Sequence, residues 1–149
     1  MKHVLLARPS SLIVNDMKKL MTATGMTPTP LKSLEHLVNY EESEIGGIVI
    51  STALSSPVKE KYWEVISKVI ERFPSRPIFL ASYASVKSTQ ITASARFKEF
   101  SIARNLTCLD MVDDRFNSSQ DVLILTQSEI SDDSRFDKIL MIIKRILHT

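Results

Sequence analysis

The chain has 149 residues, a net charge of +2 and one cysteine. A chain of this length buries well over half of its unfolded surface in a core, so it needs neither a disulfide nor a metal for stability. Its 19 basic and 17 acidic residues are spread along the sequence, which gives no electrostatic footprint of nucleic-acid binding. No segment approaches the roughly 18 apolar residues of a membrane span. We therefore expect one domain, residues 1–149, in the cytoplasm, with Cys108 as a buried and inert thiol.

Short apolar runs alternate with segments of helical period, a pattern typical of a parallel sheet covered by helices on both faces. The first run, residues 3–7, is almost continuously apolar, as in a strand buried on both sides. A helix ending at Gly25 follows it, and then a strand candidate at 26–31. Because Pro28 and Pro30 cannot donate hydrogen bonds to a neighbour, this strand is predicted at a sheet edge.

The middle of the chain continues the alternation. A short helix leads to a second central strand at 46–51. Pro57 predicts the start of a helix that ends near Phe73, since proline in the first helical position loses no hydrogen bond. Residues 76–82 form a third buried strand, and residues 87–104 a further helix.

The last third contains two strand candidates, 106–111 and 121–126, joined by a polar loop, and a final helix at about 132–148. A parallel crossover needs roughly a dozen residues and usually a helix, which this loop barely has. We therefore expect 121–126 to pair antiparallel with 106–111 at the far edge. In the alternative interpretation, 121–126 is the true last strand and its predecessor is displaced.

Motifs for standard cofactors are absent from the sequence. The three glycines, Gly25, Gly46 and Gly47, cannot form a dinucleotide-binding fingerprint or a P-loop. The histidines lie in three separate segments and no Cys-x-x-Cys is present, so no metal site is predicted. Ser51 is not framed by the glycines of a nucleophile elbow. We expect no cofactor.

The last helix has a wide apolar face. Its apolar residues span roughly 160° of the helix circumference, against about 100° for an ordinary surface helix. They are Phe136, Ile139, Leu140, Ile142, Ile143, Ile146 and Leu147. Either the sheet and a neighbouring helix bury this arc, or a partner or second copy covers its flank. In the second case the candidate contact residues are Ile142, Ile146 and Met141, which projects to the polar side.

The runs "HVLLARPSS", "TATG", "GGIVIS", "RPIFLAS" and "LTCLDM" together resemble the receiver domain of bacterial response regulators. That family has a flavodoxin-like fold with strand order 2-1-3-4-5, which places the second strand at an edge, where the prolines also place it. The resemblance implies a three-layer, doubly wound α/β domain. Residues 121–126 would add an edge strand, within an insertion at 112–131.

The resemblance also assigns positions to a phosphorylation pocket. Working receivers have an acidic pair for Mg²⁺ after strand 1, a phosphoacceptor Asp after strand 3, a Ser or Thr after strand 4 and a Lys-Pro after strand 5. The matching positions here are Arg8 and Pro9, Ser51 or Thr52, Ser82, and Asp110 or Met111. Only Ser82 fits. Without carboxylates there is nothing to gather Mg²⁺, and a serine without a base is a weak nucleophile. The likeness is therefore to degenerate pseudo-receivers, which dock or sense without phosphotransfer.

Three classes of function follow. The first is a phosphorylation-independent interaction module that binds a protein or itself through 112–131 and the last helix. The second is a sensor of a small anion or nucleotide, held by Arg8 and nearby hydroxyls at the carboxyl edge of the sheet; in the rival interpretation Arg8 pairs with Asp110 or is solvated. The third, an enzyme at this edge, lacks an identifiable general base, so we expect no catalysis. The interaction module would act in bacterial signalling or regulation.

Overall fold

The computed structural model describes residues 2–11 and 13–148. A six-stranded sheet has the order β2-β1-β3-β4-β6-β5, and each neighbouring pair is parallel. The strands are β1 (His3–Arg8), β2 (Thr27–Pro30), β3 (Ile45–Ser51), β4 (Ile78–Ser82), β5 (Asn105–Cys108) and β6 (Asp121–Thr126). The α-helices are α1 (Val14–Ala23), α2 (Tyr62–Arg72), α3 (Val86–Glu99), α4 (Gln127–Ile130) and α5 (Phe136–Leu147). Within the described residues, 3₁₀ helices span Leu34–Asn39, Glu42–Glu44 and Asp133–Arg135.

Helices cover both faces of the sheet, as the sequence predicted. Val4 and Leu6 of β1 belong to a buried cluster that includes α1 and α5. Leu5, between them, belongs to a second cluster that includes α2 and α3. Successive side chains of a strand point to opposite faces, so these clusters form the two cores of a three-layer α/β fold. The predicted fold class is confirmed.

The edge position of β2 is also confirmed. The backbone N–H groups of Thr27 and Leu31 donate to Lys2 and Leu6 respectively, in and beside β1. Because the direction of the N–H groups alternates along a strand, Pro28 and Pro30 stand where the donors would point to the open side. The missing N–H groups therefore cost the sheet nothing.

The sixth strand is present, but the antiparallel pairing expected for it is wrong. Strand β6 is parallel to both neighbours, β4 on one side and β5 on the other. The alternative interpretation is the one observed: 121–126 is the last central strand and its predecessor is displaced to the edge. The continuously apolar β6 suits burial on both faces, whereas the partly polar β5 suits an edge. Backbone turns that start at Cys108 and Asn117 close the connection without a helix.

Two predicted helix boundaries were wrong. The helix assigned to Pro57 begins at Tyr62 instead, where the Glu64 carboxylate accepts a hydrogen bond from the Lys61 N–H. Pro57 lies in the loop before it. The helix predicted to reach residue 104 ends at Glu99, and Ser101 adopts a left-handed φ of 56° that stops its continuation.

Most of the wide apolar arc of α5 is buried by its own chain. Its four buried residues are Ile139, Ile143, Ile146 and Leu147, and three more, Phe136, Leu140 and Ile142, pack half-buried against the same cluster. Ile146 is 3% exposed, so its assignment to a contact surface was wrong. Within the described residues, no helix is both long and apolar enough to cross a membrane.

Candidate functional site

The carboxyl ends of four adjacent strands meet at one edge of the sheet. Arg8 ends β1, Ser51 ends β3, Ser82 ends β4 and Thr126 ends β6. All four residues are buried. The strand register pairs Ser51 with Ala81 and Ser82 with Thr126, so three of these residues follow one another across the sheet.

Arg8 is a buried cation that holds the loop after β3. Its side chain is 5% exposed. Its Nε donates to the Glu60 carbonyl at 2.9 Å, and its Nη1 donates to the carbonyls of Ser51 at 2.8 Å and Ala53 at 2.5 Å. Burial lowers the pKa of Arg8 from its ordinary value, because desolvation disfavours the charged form. Neither interpretation of Arg8, a pair with Asp110 or a solvated side chain, was correct.

Very little space remains beside Arg8. The cavity there has a volume of about 10 Å³. Its lining consists of Leu6, Arg8, Pro9, Ile13, Val14, Met17, Val49 and Ser51. A single water needs roughly that volume, and a phosphoryl group needs far more. The hydroxyls of Ser10 and Tyr83, 2.7 Å apart, also join the loop after β1 to the loop after β4.

The hydroxyls of the two strand-end serines are engaged in local turns. Ser51 Oγ accepts a hydrogen bond from the Ala53 N–H at 3.1 Å. Ser82 Oγ accepts from the Ala84 N–H at 3.1 Å and shares a 2.8 Å hydrogen bond with the hydroxyl of Thr89. Both side chains therefore stabilise the turns that leave the strands.

Thr126 replaces Asp110 as the strand end beside Ser82. Asp110 follows the outer strand β5, and its carboxylate lies 3.5 Å from Arg135. Thr126 was not considered in the sequence interpretation. The Glu129 carboxylate, almost fully buried, accepts from the Thr126 N–H at 3.1 Å and hydroxyl at 2.7 Å. The unbroken apolar run of β6 was the signal that could have identified this strand end.

The group of residues at these strand ends does not fit the Mg²⁺ that a working receiver holds. Mg²⁺ is bound through carboxylates and water oxygens. Here Arg8 supplies a positive charge where the acidic pair would stand, and its partners are neutral carbonyls. A divalent cation beside it would meet like charge in a poorly solvated place. Within residues 2–11 and 13–148, no group of three or more His, Cys, Asp or Glu side chains is arranged to hold a metal.

A second cavity, of about 230 Å³, opens between α2, α3 and the ends of β3 and β4. It brings Thr52 and Ser82 together, as the sequence predicted, but with Arg96 rather than Arg8 as the cation. Its lining is Thr52, Tyr62, Trp63, Ser82, Ala84, Thr89, Thr92 and Arg96. The Arg96 guanidinium lies 4.2 Å from the centre of the Trp63 ring. Burial raises the pKa of Tyr62, while the nearby charge of Arg96 acts to lower it.

The loop after β5 covers one flank of α5. Val112 and Phe116 pack against the apolar cluster that contains α5. Arg145 of α5 donates to the Asp114 carboxylate at 3.0 Å. Met141 is 73% exposed. Met141, which lies outside the apolar arc of α5, is therefore left in solvent, whereas the residues of the arc are buried or half-buried.

Comparisons with known proteins agree with this architecture. No family model matches the chain, and no curated protein does. Among solved structures, it is similar to the crystal structure of a response regulator receiver protein from Sinorhizobium medicae WSM419. The two chains are 19% identical, the match covers 96% of each, and the TM-score is 0.54. Identity this low shows the fold alone. The chain therefore has the fold of a response regulator receiver domain.

Proposed function

We propose that residues 1–149 form one pseudo-receiver domain that acts in bacterial signalling by binding a protein partner or a second copy, without phosphotransfer. It works in the cytoplasm and needs no cofactor. The observation that carries the proposal is the buried guanidinium of Arg8, which takes the place of an acidic pair and binds the carbonyls of the β3 loop.

The residues at the strand ends lack the groups that aspartyl phosphorylation requires, which supports a role without phosphotransfer. The reaction needs a carboxylate acceptor and a divalent cation that neutralises the transferred group. At the acceptor position Ser51 has a hydroxyl whose oxygen already accepts a backbone N–H. The cavity between Ser51 and Arg8 has a volume of about 10 Å³, which is too small for a phosphoryl group.

The direct test is incubation of the protein with acetyl phosphate and Mg²⁺, followed by intact-mass spectrometry. We expect no phosphoryl adduct on the wild-type protein. The Ser51→Asp variant is also expected to stay unmodified, because Arg8 would pair with the new carboxylate. A stoichiometric, acid-stable or hydroxylamine-sensitive adduct on the wild-type protein would overturn the proposal.

The exposed side of α5 and the adjoining loop at 112–120 are the proposed contact surface, with Met141 at its centre and the half-buried Ile142 at its border. Size-exclusion chromatography with light scattering compares the wild type with Met141→Asp. The matched control is Ile91→Asp, since Ile91 is also exposed but lies on α3, which packs on the opposite face of the sheet. Association lost only in Met141→Asp supports the surface. Equal association in all three folded proteins excludes it.

A second candidate function is the sensing of a small anion in the 230 Å³ cavity at the ends of β3 and β4. The observation that favours it is Arg96, which lines this cavity together with Thr52 and Tyr62. A guanidinium beside hydroxyl donors is suited to a phosphate or carboxylate. Calorimetry with inorganic phosphate and with nucleotides, on wild type and Arg96→Gln, tests it. Absence of binding to the wild-type protein would eliminate this candidate.

A further inference from the structure

The two edges of the sheet offer different groups to a neighbouring strand. At the β2 edge, Pro28 and Pro30 occupy outward positions, so these positions have no N–H donor. At the other edge, β5 has the sequence Asn-Leu-Thr-Cys, without a proline or a charged residue. Prolines, charges and bulges are common means by which proteins keep an open edge from pairing with another strand. Within the described residues, β5 pairs only with β6, and none of these devices interrupts it.

The register of β5 determines which of its backbone groups point to the open side. The Asn105 N–H donates to the Gln120 carbonyl at 2.8 Å, so Asn105 faces β6. Because this direction alternates along a strand, the N–H and C=O of Leu106 point away from β6. In the described part of the chain, neither group has a hydrogen-bond partner. Leu106 is half-buried, so one donor and one acceptor stand at the edge of the sheet.

The two faces of β5 are filled differently. On one face, the Leu106 side chain packs against the apolar cluster that includes α2 and α3. On the other face, a cavity of about 300 Å³ lies between β5 and the loop after it. Its lining is Asn105, Thr107, Met111, Val112, Asp113, Arg115, Phe116, Gln120 and Asp121. The loop therefore does not close over β5, and polar side chains of an added strand have room there.

The charges of the loop after β5 are balanced within the chain. Arg115 donates to the Asp113 carboxylate through Nε at 3.1 Å and through Nη2 at 2.7 Å. Arg145 of α5 donates to the Asp114 carboxylate at 3.0 Å. A second copy brings the same balanced loop. Like charges therefore do not oppose the approach of one copy to the other at this edge.

The sequence of β5 is complementary to itself in an antiparallel pair. A two-fold axis at Leu106 makes this residue its own partner, so its N–H donates to the Leu106 carbonyl of the second copy and the reverse bond forms as well. Asn105 then lies opposite Thr107 of the second copy, and both side chains are uncharged and able to form hydrogen bonds. Arg104 lies opposite Cys108. No pair of like charges is created.

We propose that two copies of this chain associate by pairing their β5 strands antiparallel about a two-fold axis at Leu106. The β5 strand leads directly into the loop at 112–120, so this pairing continues the contact surface proposed above. The inference rests on the proposed function in taking a second copy as the partner. A strand of four residues gives a short ladder, so the association is weak, with a Kd of about 0.2 mM.

The first test measures amide exchange with solvent by NMR on the full chain, from about 20 μM to about 2 mM protein. For a Kd of about 0.2 mM, the monomer fraction falls from about 85% to about 20% over this range. Exchange at the Leu106 amide, which is open only in the monomer, should therefore slow about fourfold. The Asn105 amide is the internal control, since it bonds to Gln120 within one chain, and its exchange should not change.

The second test compares Leu106→Pro with Leu106→Ala by sedimentation velocity. Leu106→Pro removes the outward N–H, as Pro28 and Pro30 do on β2, and an edge strand accepts proline where the N–H makes no bond within the sheet. Leu106→Ala is the matched control, because it also loses the leucine side chain but keeps the N–H. We expect Leu106→Ala to associate within about twofold of the wild type, and Leu106→Pro at least about tenfold more weakly.

The inference is overturned by exchange at Leu106 that does not depend on protein concentration, or by equal association in Leu106→Pro and Leu106→Ala. If Leu106→Pro does not fold, the exchange measurement on the wild-type protein decides. The failure of the proposed function is read from other results, a phosphoryl adduct or unchanged association in Met141→Asp. Loss of association in Met141→Asp with constant exchange at Leu106 would support the α5 surface and overturn the β5 pairing, so the two failures are distinguishable.

Discussion

Replacing Arg8 by methionine tests whether this residue stabilises the β3 loop. Methionine retains an apolar stem of similar length and removes all five N–H donors. The structure assigns three of those donors to the carbonyls of Ser51, Ala53 and Glu60. The substitution therefore removes the Arg8 donor from three carbonyl oxygens, while the pocket stays filled.

The loss of stability in Arg8→Met can be estimated from the burial of each of the three hydrogen bonds. The hydrogen bond to Ser51 is buried, so no water can replace the lost donor at the Ser51 carbonyl. Leaving this carbonyl unpaired should lower the free energy of unfolding by about 1–3 kcal/mol. The bonds to Ala53 and Glu60 are partly buried, and water can substitute there at roughly 0.5–1 kcal/mol each. Part of this loss is offset, because the neutral methionine does not have the desolvation cost of a buried charge. The free energy of unfolding should fall by about 2–4 kcal/mol, or roughly 5–15 °C in Tm.

Urea denaturation followed by the fluorescence of Trp63, the single tryptophan, measures this change. The matched control is Arg104→Met. Arg104 also donates to two loop carbonyls, those of Ser118 at 3.2 Å and Pro74 at 3.1 Å, but it is only half-buried. The control should lose at most about 1 kcal/mol, since solvent replaces its donors. If Arg8→Met loses no more stability than Arg104→Met, the bonds of Arg8 do not hold this end of the sheet.

Three further results are expected. In thermal unfolding, Gly47→Ala should lower the free energy of unfolding by about 1–3 kcal/mol, because a methyl group there would lie 2.7 Å from a side chain of α5 and 3.2 Å from a core ring. Gly46→Ala should lower it less, since the methyl group there comes close only to a flexible methionine side chain. Equal losses in the two variants would refute the argument. Replacing Pro28 and Pro30 together by threonine restores outward N–H donors on the edge strand, so light scattering should show more self-association than in the wild type. Burial raises the pKa of Tyr62, so alkaline titration monitored at 295 nm should show a tyrosine that ionises above the ordinary value of about 10. The neutral form of Tyr62 stabilises the folded state at lower pH, and this contribution is lost as the pH rises through the raised pKa.

The fold could be predicted where a local pattern has one physical explanation. The apolar runs of β1, β3 and β4 suit strands buried on both faces, and the prolines of β2 exclude all but an edge position. The order of the last two strands depends on a comparison instead. Either β5 or β6 could pair with β4, and β6 takes this position because it is the more apolar strand and is buried on both faces. Loop length alone disfavours a parallel connection as short as this one without a helix, and it therefore predicts the wrong pairing for β6.

The site was predictable in position but not in contacts. Arg8, Ser51 and Ser82 lie at neighbouring strand ends, since the carboxyl ends of parallel strands meet at one edge of a sheet. The path of residues 52–61 determines which groups Arg8 binds, and this path has no periodic pattern. Pro57 was therefore interpreted as a helix start, although it belongs to the loop that Arg8 holds.

The position of β6 between β4 and β5 has a consequence for how the chain acquires its structure. Strand β5 is made first, yet it pairs only with β6, which comes later in the sequence. While a nascent chain ends between them, β4 presents an open parallel edge, and β5 is the nearest strand that can occupy it. In the folded sheet β6 occupies that place, and β5 lies outside it. The order of synthesis and the order of the sheet therefore oppose each other at this edge, so β4 can acquire its native neighbour only after residues 121–126 have been made.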